Sequence, residues 1–302
     1  MTRDLTIGID LGGTQLRVAL VDDAGQVVKR TATRTDVPGG PTAVIRQMLH
    51  LIADLTAGDT SNISAVGICS PGPLDSDTGR IIDIPSMPGF IDVPLRDTLA
   101  EELKLPVSLE NDAQTAAYGE WKHGAGQGLQ HLVYVTVSTG IGGGVIADSK
   151  LLRGRRGMAS HIGHLMIDEH GPRCACGGTG CLEALASGTA FAERAKSSGF
   201  ADGAAATEAA RNGNATAMAL LTREAEILGY GLSTLLHLYS PQRLIIGGGM
   251  SAALDLMHPT IMAQINRHTM PAFRDIDVVR AALGDNAGLV GAAALARETF
   301  AA

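Results

Sequence analysis

His164, Cys174, Cys176 and Cys181, in the stretch GHLMIDEHGPRCACGGTGCLE, hold three of the chain's four cysteines. Nine residues, then one, then four separate them. Three thiolates and an imidazole at this range are what a tetrahedral Zn²⁺ takes for a Cys₃His shell, and Gly177, Gly178 and Gly180 let the backbone wrap closely around it. A shell closed by four protein ligands leaves no open position, so such a zinc would be structural and not hydrolytic. The plainer alternative is a set of buried thiols in a Gly-rich turn.

A second kind of chemistry is written in three glycine runs. Asp10-Leu-Gly-Gly-Thr14 stands between two apolar runs, placing Gly12, Gly13 and Thr14 in a hairpin turn whose N–H groups and hydroxyl can face a phosphate. Ser138-Thr139-Gly140-Ile141-Gly142-Gly143-Gly144 repeats the pattern with more glycine than a structural turn needs. Gly247-Gly248-Gly249 follows the apolar run RLII and opens toward a helix. It reads either as a plain strand-to-helix turn or as the seat of a nucleoside. Asn111-Asp112 closes an extended run and starts a helix. Asp112 is then either a helix cap or, beside two phosphate turns, the carboxylate that accepts a proton from an attacking hydroxyl. Asp10, next to the first turn, would help order Mg²⁺ and its water shell.

These side chains need a scaffold, and the patterning predicts an α/β protein. Residues 5–10, 16–21, 65–69, 132–137, 144–147 and 243–246 read as strands. Residues 41–56, 94–103, 113–121, 187–197 and 216–238 read as helices, and 199–214 as a peripheral helix and loop. The strand, Gly-rich turn, strand unit occurs twice, at IGIDLGGTQLRVALVD and VYVTVSTGIGGGVIAD, which predicts two related lobes with a boundary near Asp112–Tyr118. A length of 302 residues, 45% of them apolar, suffices for two domains. The net charge of −7 offers no basic field for nucleic acid. No apolar run reaches membrane-spanning length and the N-terminus lacks a cleavable leader pattern, so a cytoplasmic protein is expected. Cysteines grouped for metal, with Cys69 alone, agree with a reducing compartment.

DLGGT, the NDA of Asn111-Asp112-Ala113, STGIGGG, the GH…CxCGxxGCLE block and the late GGGMS resemble, in order along the chain, the ROK family of sugar kinases and sugar-responsive repressors. The resemblance implies an actin-like ATPase (ribonuclease H-like) fold. Its small lobe would be 1–117 with a C-terminal helix 288–302 returning to it, and its large lobe 118–287 would carry the zinc loop. Sugar and ATP would lie in the cleft between the lobes. It further implies that Asp112 activates a sugar 6-hydroxyl, that Asn111, His164 and Glu183 bind sugar hydroxyls, that Ser70–Asp75 with Gly72 and Pro85–Phe90 face the sugar, and that the protein is a homodimer. ATP contacts would come from Asp10, Gly12, Gly13, Thr14, Ser138, Thr139, Gly140, Gly142, Gly143, Gly247, Gly248 and Gly249. Family repressors carry a helix-turn-helix ahead of this core. Here the first phosphate turn starts at Asp10, so a kinase and not a DNA-binding regulator is expected.

The chain departs from the family where many members read Glu-x-Gly-His. Here His161-Ile-Gly-His164 replaces the carboxylate with an imidazole, which both donates and accepts and so suits a different substituent at C2 of the sugar. The alternative is a packing histidine. This tetrad and the segment from Asp168 to Gly188 look like bacterial N-acetylmannosamine kinases, while glucose-using members often have Asn where Ser86 stands. Arg153, Arg155 and Arg156 read as a solvated loop in preference to a phosphate clamp.

Overall fold

The computed structural model describes residues 4–301. One packing unit contains the chain up to Gly128, Leu151–Ala159 and the chain from Leu283 onward. It opens with a hairpin of β1 (Leu5–Leu11) and β2 (Gln15–Val21), followed by β3 (Val27–Arg34) and α1 (Gly40–Thr56). Val44, Met48, Leu51, Ile52 and Leu55 make the buried stripe of α1 at helical spacing. Next come β4 (Ile63–Ser70), a small sheet of β5 (Leu74–Asp75), β6 (Arg80–Asp83) and β7 (Ile91–Val93), then α2 (Leu95–Leu103), β8 (Val107–Asn111) and α3 (Asp112–His123). The main sheet runs β3-β2-β1-β4-β8, antiparallel on the hairpin side and parallel from β1 to β8. One face of its centre buries Ile7, Ile9 and Ile68, and the other presents Gly8 and Gly67 to the last helix of the chain, whereas the edge strand β3 alternates and carries Lys29, Arg30 and Arg34 outward.

The other unit contains Leu129–Lys150 and Ser160–Ala282. Its elements are β9 (Leu132–Val137), β10 (Ile141–Ala147) and β11 (Lys150–Leu151), then α4 (Leu182–Ala186), α5 (Gly188–Ser197), α6 (Gly203–Arg211) and α7 (Ala215–Tyr239), and last β12 (Arg243–Gly247), α8 (Leu254–His268) and β13 (Asp277–Arg280). Its sheet order, β11-β10-β9-β12-β13, repeats that of the first sheet strand for strand, with an antiparallel β9/β10 hairpin and parallel β9/β12/β13. The sequence repeat is therefore a repeat of topology. Among the described residues no helix is long and apolar enough to cross a membrane.

The last helix, α9 (Ala287–Thr299), belongs to the first unit and lies on β1, β4 and α3. Glycine makes that approach possible: a Cβ on Gly67 would stand 1.9 Å from the Ala292 carbonyl oxygen, and one on Gly291 would stand 1.8 Å from that of Thr115. The helix ends at Thr299, short of the 288–302 read from the resemblance, and Ala302 lies outside the described residues. The units divide differently from the expected 1–117 and 118–287. Residues Ala113 to Glu120 form one uninterrupted buried run, so α3 passes whole through the expected boundary, and the chain also rejoins the first unit at 151–159.

Candidate active site

In the first unit the turn between β1 and β2 is closed by Gly12 N–H donating to the Gln15 carbonyl at 3.0 Å. The Thr35 hydroxyl donates to the Gly12 carbonyl at 2.6 Å, and Thr35 N–H donates to the Thr14 carbonyl at 3.1 Å. These closing bonds use neither the N–H groups of Gly13 and Thr14 nor the Thr14 hydroxyl, the groups a phosphate would need. Asp10 sits at the end of β1, directly across from Arg17 on β2, and their side chains form an ion pair. Arg17 also donates to the Asp285 carbonyl at 2.9 Å, just ahead of α9. The hairpin register, with Leu11 opposite Leu16, was the signal from which that cross-strand pair follows.

Asn111, not Asp112, caps α3: its Oδ1 accepts from the N–H of Ala113 at 3.1 Å and of Gln114 at 3.4 Å. Asp112 is the first helical residue, and its carboxylate accepts from Ala113 N–H at 2.8 Å. The residue is reachable by solvent, yet protein atoms crowd its carboxyl. That desolvation, with the charge of Asp10 adding to it, raises its pKa to about 6 against the opposing hydrogen bond from Ala113. Cys69, level with Asp10 in the β1/β4 register, is wholly buried. Desolvation first, then Asp10 and Asp112, hold its thiol well above the ordinary range. Gly72 lies against Asn111, its absent Cβ 3.7 Å from Asn111 Nδ2. Ser86 borders Gly13, and Met87 is buried in the core beneath it. Arg153 is neither free nor a phosphate clamp, since it pairs at 2.6 Å with Glu110, whose side chain is 1% exposed. Arg156 faces Asp75 at 3.6 Å.

In the second unit the turn is narrower than expected. Only Ser138, Thr139 and Gly140 lie between the strands, and Gly142 and Gly143 are within β10. Gly143 is a packing glycine, because a Cβ there would stand 2.2 Å from Ile162 Cδ1. Ser138 N–H donates to Gly140 at 2.9 Å, while Gly188 N–H and the Thr189 hydroxyl, at the start of α5, donate to the Ser138 and Thr139 carbonyls at 2.7 and 2.8 Å. Glu183, in the first turn of α4, accepts from Ile141 N–H at 2.9 Å and leaves no room for a side chain on Gly140. Arg194 steadies α4 by donating to the Leu185 carbonyl at 2.7 Å while it pairs with the buried Glu224. Gly248, at φ +76°, abuts the end of β9, with its missing Cβ 2.4 Å from the Val137 carbonyl oxygen, so the third glycine run sits beside the second turn. Beyond it opens a cavity of about 410 Å³ lined by Arg211, Ser251, Asp255, His258 and Arg280. Arg211 grips Asp255 with two bonds of 2.7 and 2.8 Å. Nothing in the linear sequence marked that wall, which joins α6, α8 and β13.

The ligand atoms of His164, Cys174, Cys176 and Cys181 all lie within 4.8 Å of one another. Cys176 Sγ is 3.7 Å from Cys181 Sγ, and Cys174 Sγ is 3.8 Å from His164 Nδ1. A tetrahedral shell with Zn–S near 2.3 Å puts its sulfurs about 3.8 Å apart, so the four residues fit the ion. Burial raises the Cys174 and Cys181 thiols, while the Gly178 N–H lowers that of Cys176. Gly177, at φ +91°, turns the loop so that Cys174 N–H donates to Gly178 at 2.9 Å. His161 caps a one-turn 3₁₀ helix, Ile162–His164, whose three-residue period stacks the His161 and His164 rings at 6.1 Å and 30°. Desolvation, and then His164, hold the His161 imidazole below its ordinary pKa.

Residues 6–299 match the ROK family model. The glucokinase of Thermotoga maritima is 36% identical over 97% of this chain and 97% of its own. The N-acetylmannosamine kinase of Escherichia fergusonii is 35% identical over 97% of this chain and 98% of its own. A crystal structure of a ROK family glucokinase from Streptomyces griseus, in complex with glucose and AMPPNP, superposes with a TM-score of 0.84 at 34% identity, covering 97% of this chain and 99% of that one. The chain belongs to the ROK family and has the actin-like ATPase fold with its two lobes. Within that family it is an ATP-dependent carbohydrate kinase.

Proposed function

We propose that the protein phosphorylates the 6-hydroxyl of N-acetylmannosamine. The observation that carries the reaction is that Asn111 takes the capping role and leaves Asp112 as a solvent-reachable carboxylate with a pKa of about 6, ionised at neutral pH and basic enough to accept a hydroxyl proton. In the proposed step Asp112 takes the 6-hydroxyl proton as the oxygen forms its bond to the γ-phosphorus, and the bond from that phosphorus to the β,γ-bridging oxygen breaks. ADP departs with the electron pair. The N–H groups of Gly13 and Thr14, with Ser138, Thr139 and Gly140, hold phosphate oxygens. Gly247, Gly248 and Gly249 seat the nucleoside, and the cavity walled by Arg211 and Asp255 gives its base room. Mg²⁺, when bound, neutralises phosphate charge, and Asp10 is the side chain that would orient its water shell. Structural zinc on His164, Cys174, Cys176 and Cys181 leaves the second ring nitrogen of His164 for the sugar, and Glu183 and Asn111 are the other side chains proposed to bind its hydroxyls. Gly72 borders the same Asn111. A cytoplasmic homodimer is the form we propose.

The choice of sugar rests on His161 in place of the family's carboxylate, since an imidazole can donate to the carbonyl of a 2-acetamido group. The second reading is a glucokinase, favoured by the identity to the Thermotoga maritima enzyme. ADP release with Mg-ATP and a panel of N-acetylmannosamine, N-acetylglucosamine, glucose, mannose, fructose and allose separates the two. Preference for N-acetylmannosamine is expected, and preference for glucose would replace the first reading with the second.

A further inference from the structure

Gln114 follows Asp112 by two positions on α3 and is 1% exposed. Residues so spaced point to different sides of a helix, so the reachable Asp112 carboxyl and the buried Gln114 amide share a backbone turn but not a face. Gln114 Nε2 donates to the Gly157 carbonyl at 2.6 Å and to the Ala159 carbonyl at 3.0 Å. Both hydrogens of the amide nitrogen are thereby used. Because both partners are carbonyls, only the nitrogen can point toward them. Oε1 of the same amide is buried without a hydrogen-bond partner, so these two bonds alone set its orientation.

The segment they grip, Leu151–Ala159, is also held from the other side of Asp112. Glu110 reaches Arg153 at 2.6 Å, and Ser76 N–H donates to the Arg156 carbonyl at 3.1 Å. Gly157 has φ +76°, and a Cβ there would stand 2.0 Å from Ser76 Oγ and 3.2 Å from Glu110 Oε1, so the backbone is seated too closely for any side chain. Two residues beyond Ala159 the chain reaches His161.

We propose that Gln114 is a positioning residue for sugar selectivity. By holding the Gly157 and Ala159 carbonyls it anchors the loop 151–159 from which the chain runs on to His161. This rests on the reading of Asp112 as base and His161 as the group that meets the C2 substituent. Gln114→Met keeps the volume and removes both donors, and Gln114→Asn keeps the donors but shortens their reach. Each should raise the KM for N-acetylmannosamine by about tenfold and flatten the preference between N-acetylmannosamine and glucose, with the KM for Mg-ATP moving less than about twofold. Hydrogen exchange supplies the readout independent of turnover: amides of 151–160 should exchange about tenfold faster in Gln114→Met, with those of β4 and β8 unchanged. Unchanged exchange in that segment, or sugar and nucleotide constants that rise together, would overturn the proposal. A wild-type enzyme indifferent to the C2 substituent would overturn the reading of His161 and the proposal with it. Selectivity lost in His161→Ala but kept in Gln114→Met would overturn the proposal alone.

Discussion

Asp112→Asn should stabilise the protein at pH 8 while removing its activity. The Asp112 carboxyl has its pKa raised from 3.8 to about 6, chiefly by desolvation. Because the folded pKa lies above the unfolded one, the folded state binds the proton more tightly. The stability contributed by the protonated group is present in full below about pH 4 and is lost as pH rises through 6. A shift of about two units corresponds to about 3 kcal/mol for a group fully removed from water. Solvent reaches this residue, so screening cuts the figure to roughly 1–1.5 kcal/mol. Asparagine is nearly isosteric and never ionises. Urea unfolding of the zinc-loaded wild type and variant should therefore show the variant ahead by that amount at pH 8, with the difference closing by pH 4. Turnover should fall by about 10³-fold or more, since a general base alone contributes about 10²–10⁴. A variant less stable at pH 8, or a difference that does not depend on pH, would refute the desolvation argument. Near-full turnover would remove the base assignment.

The same carboxylate sets an acid limb: kcat/KM should fall tenfold per pH unit below about 6 in the wild type, checked by initial rates in overlapping buffers between pH 5 and 8. Cys176→Ser removes an exposed member of the proposed zinc shell without opening a core cavity, so zinc measured by atomic absorption should drop well below one per chain, and the sugar KM should rise as the loop ahead of Glu183 loosens; retained stoichiometry would remove Cys176 from the shell. Gly67→Ala sets a methyl group 1.9 Å from the Ala292 carbonyl oxygen, which should cost more than about 2 kcal/mol in urea unfolding by pushing α9 off the sheet, and a neutral effect would contradict that packing.

The hairpins, the glycine turns and the zinc loop were legible because each is local. DLGGT and STGIGGG carry their strands and turns within one stretch, and His164 to Cys181 closes on itself. The limits of that reading are equally physical. Glycine is needed both for exposing N–H groups and for close packing, and composition does not separate the two uses, so Gly143 was grouped with the phosphate turn when Ile162 is what requires it. The cap of α3 was weighed for Asp112 alone, although Asn111 is as good a cap residue; the backbone angles, extended at Asn111, show that Asn111 is the one outside the helix.

What stayed hidden are pairings between side chains far apart in sequence. Arg153 read as a solvated loop residue because arginine in a Gly-rich stretch is most often exposed. Its partner Glu110 lies on β8 and is buried, and burial of one carboxylate obliges a cation to come to it. Desolvation raises the Glu110 pKa and Arg153 opposes that rise, so the charge on residue 153 is spent on the fold and not on phosphate. The same logic explains Gln114. A buried amide must find hydrogen-bond partners, and the two carbonyls that Gln114 reaches belong to a segment more than forty residues away. Demand for satisfied polar groups thus ties the loop ahead of His161 to the residues on either side of Asp112, a constraint visible only once the sheet has brought β8 and α3 against it.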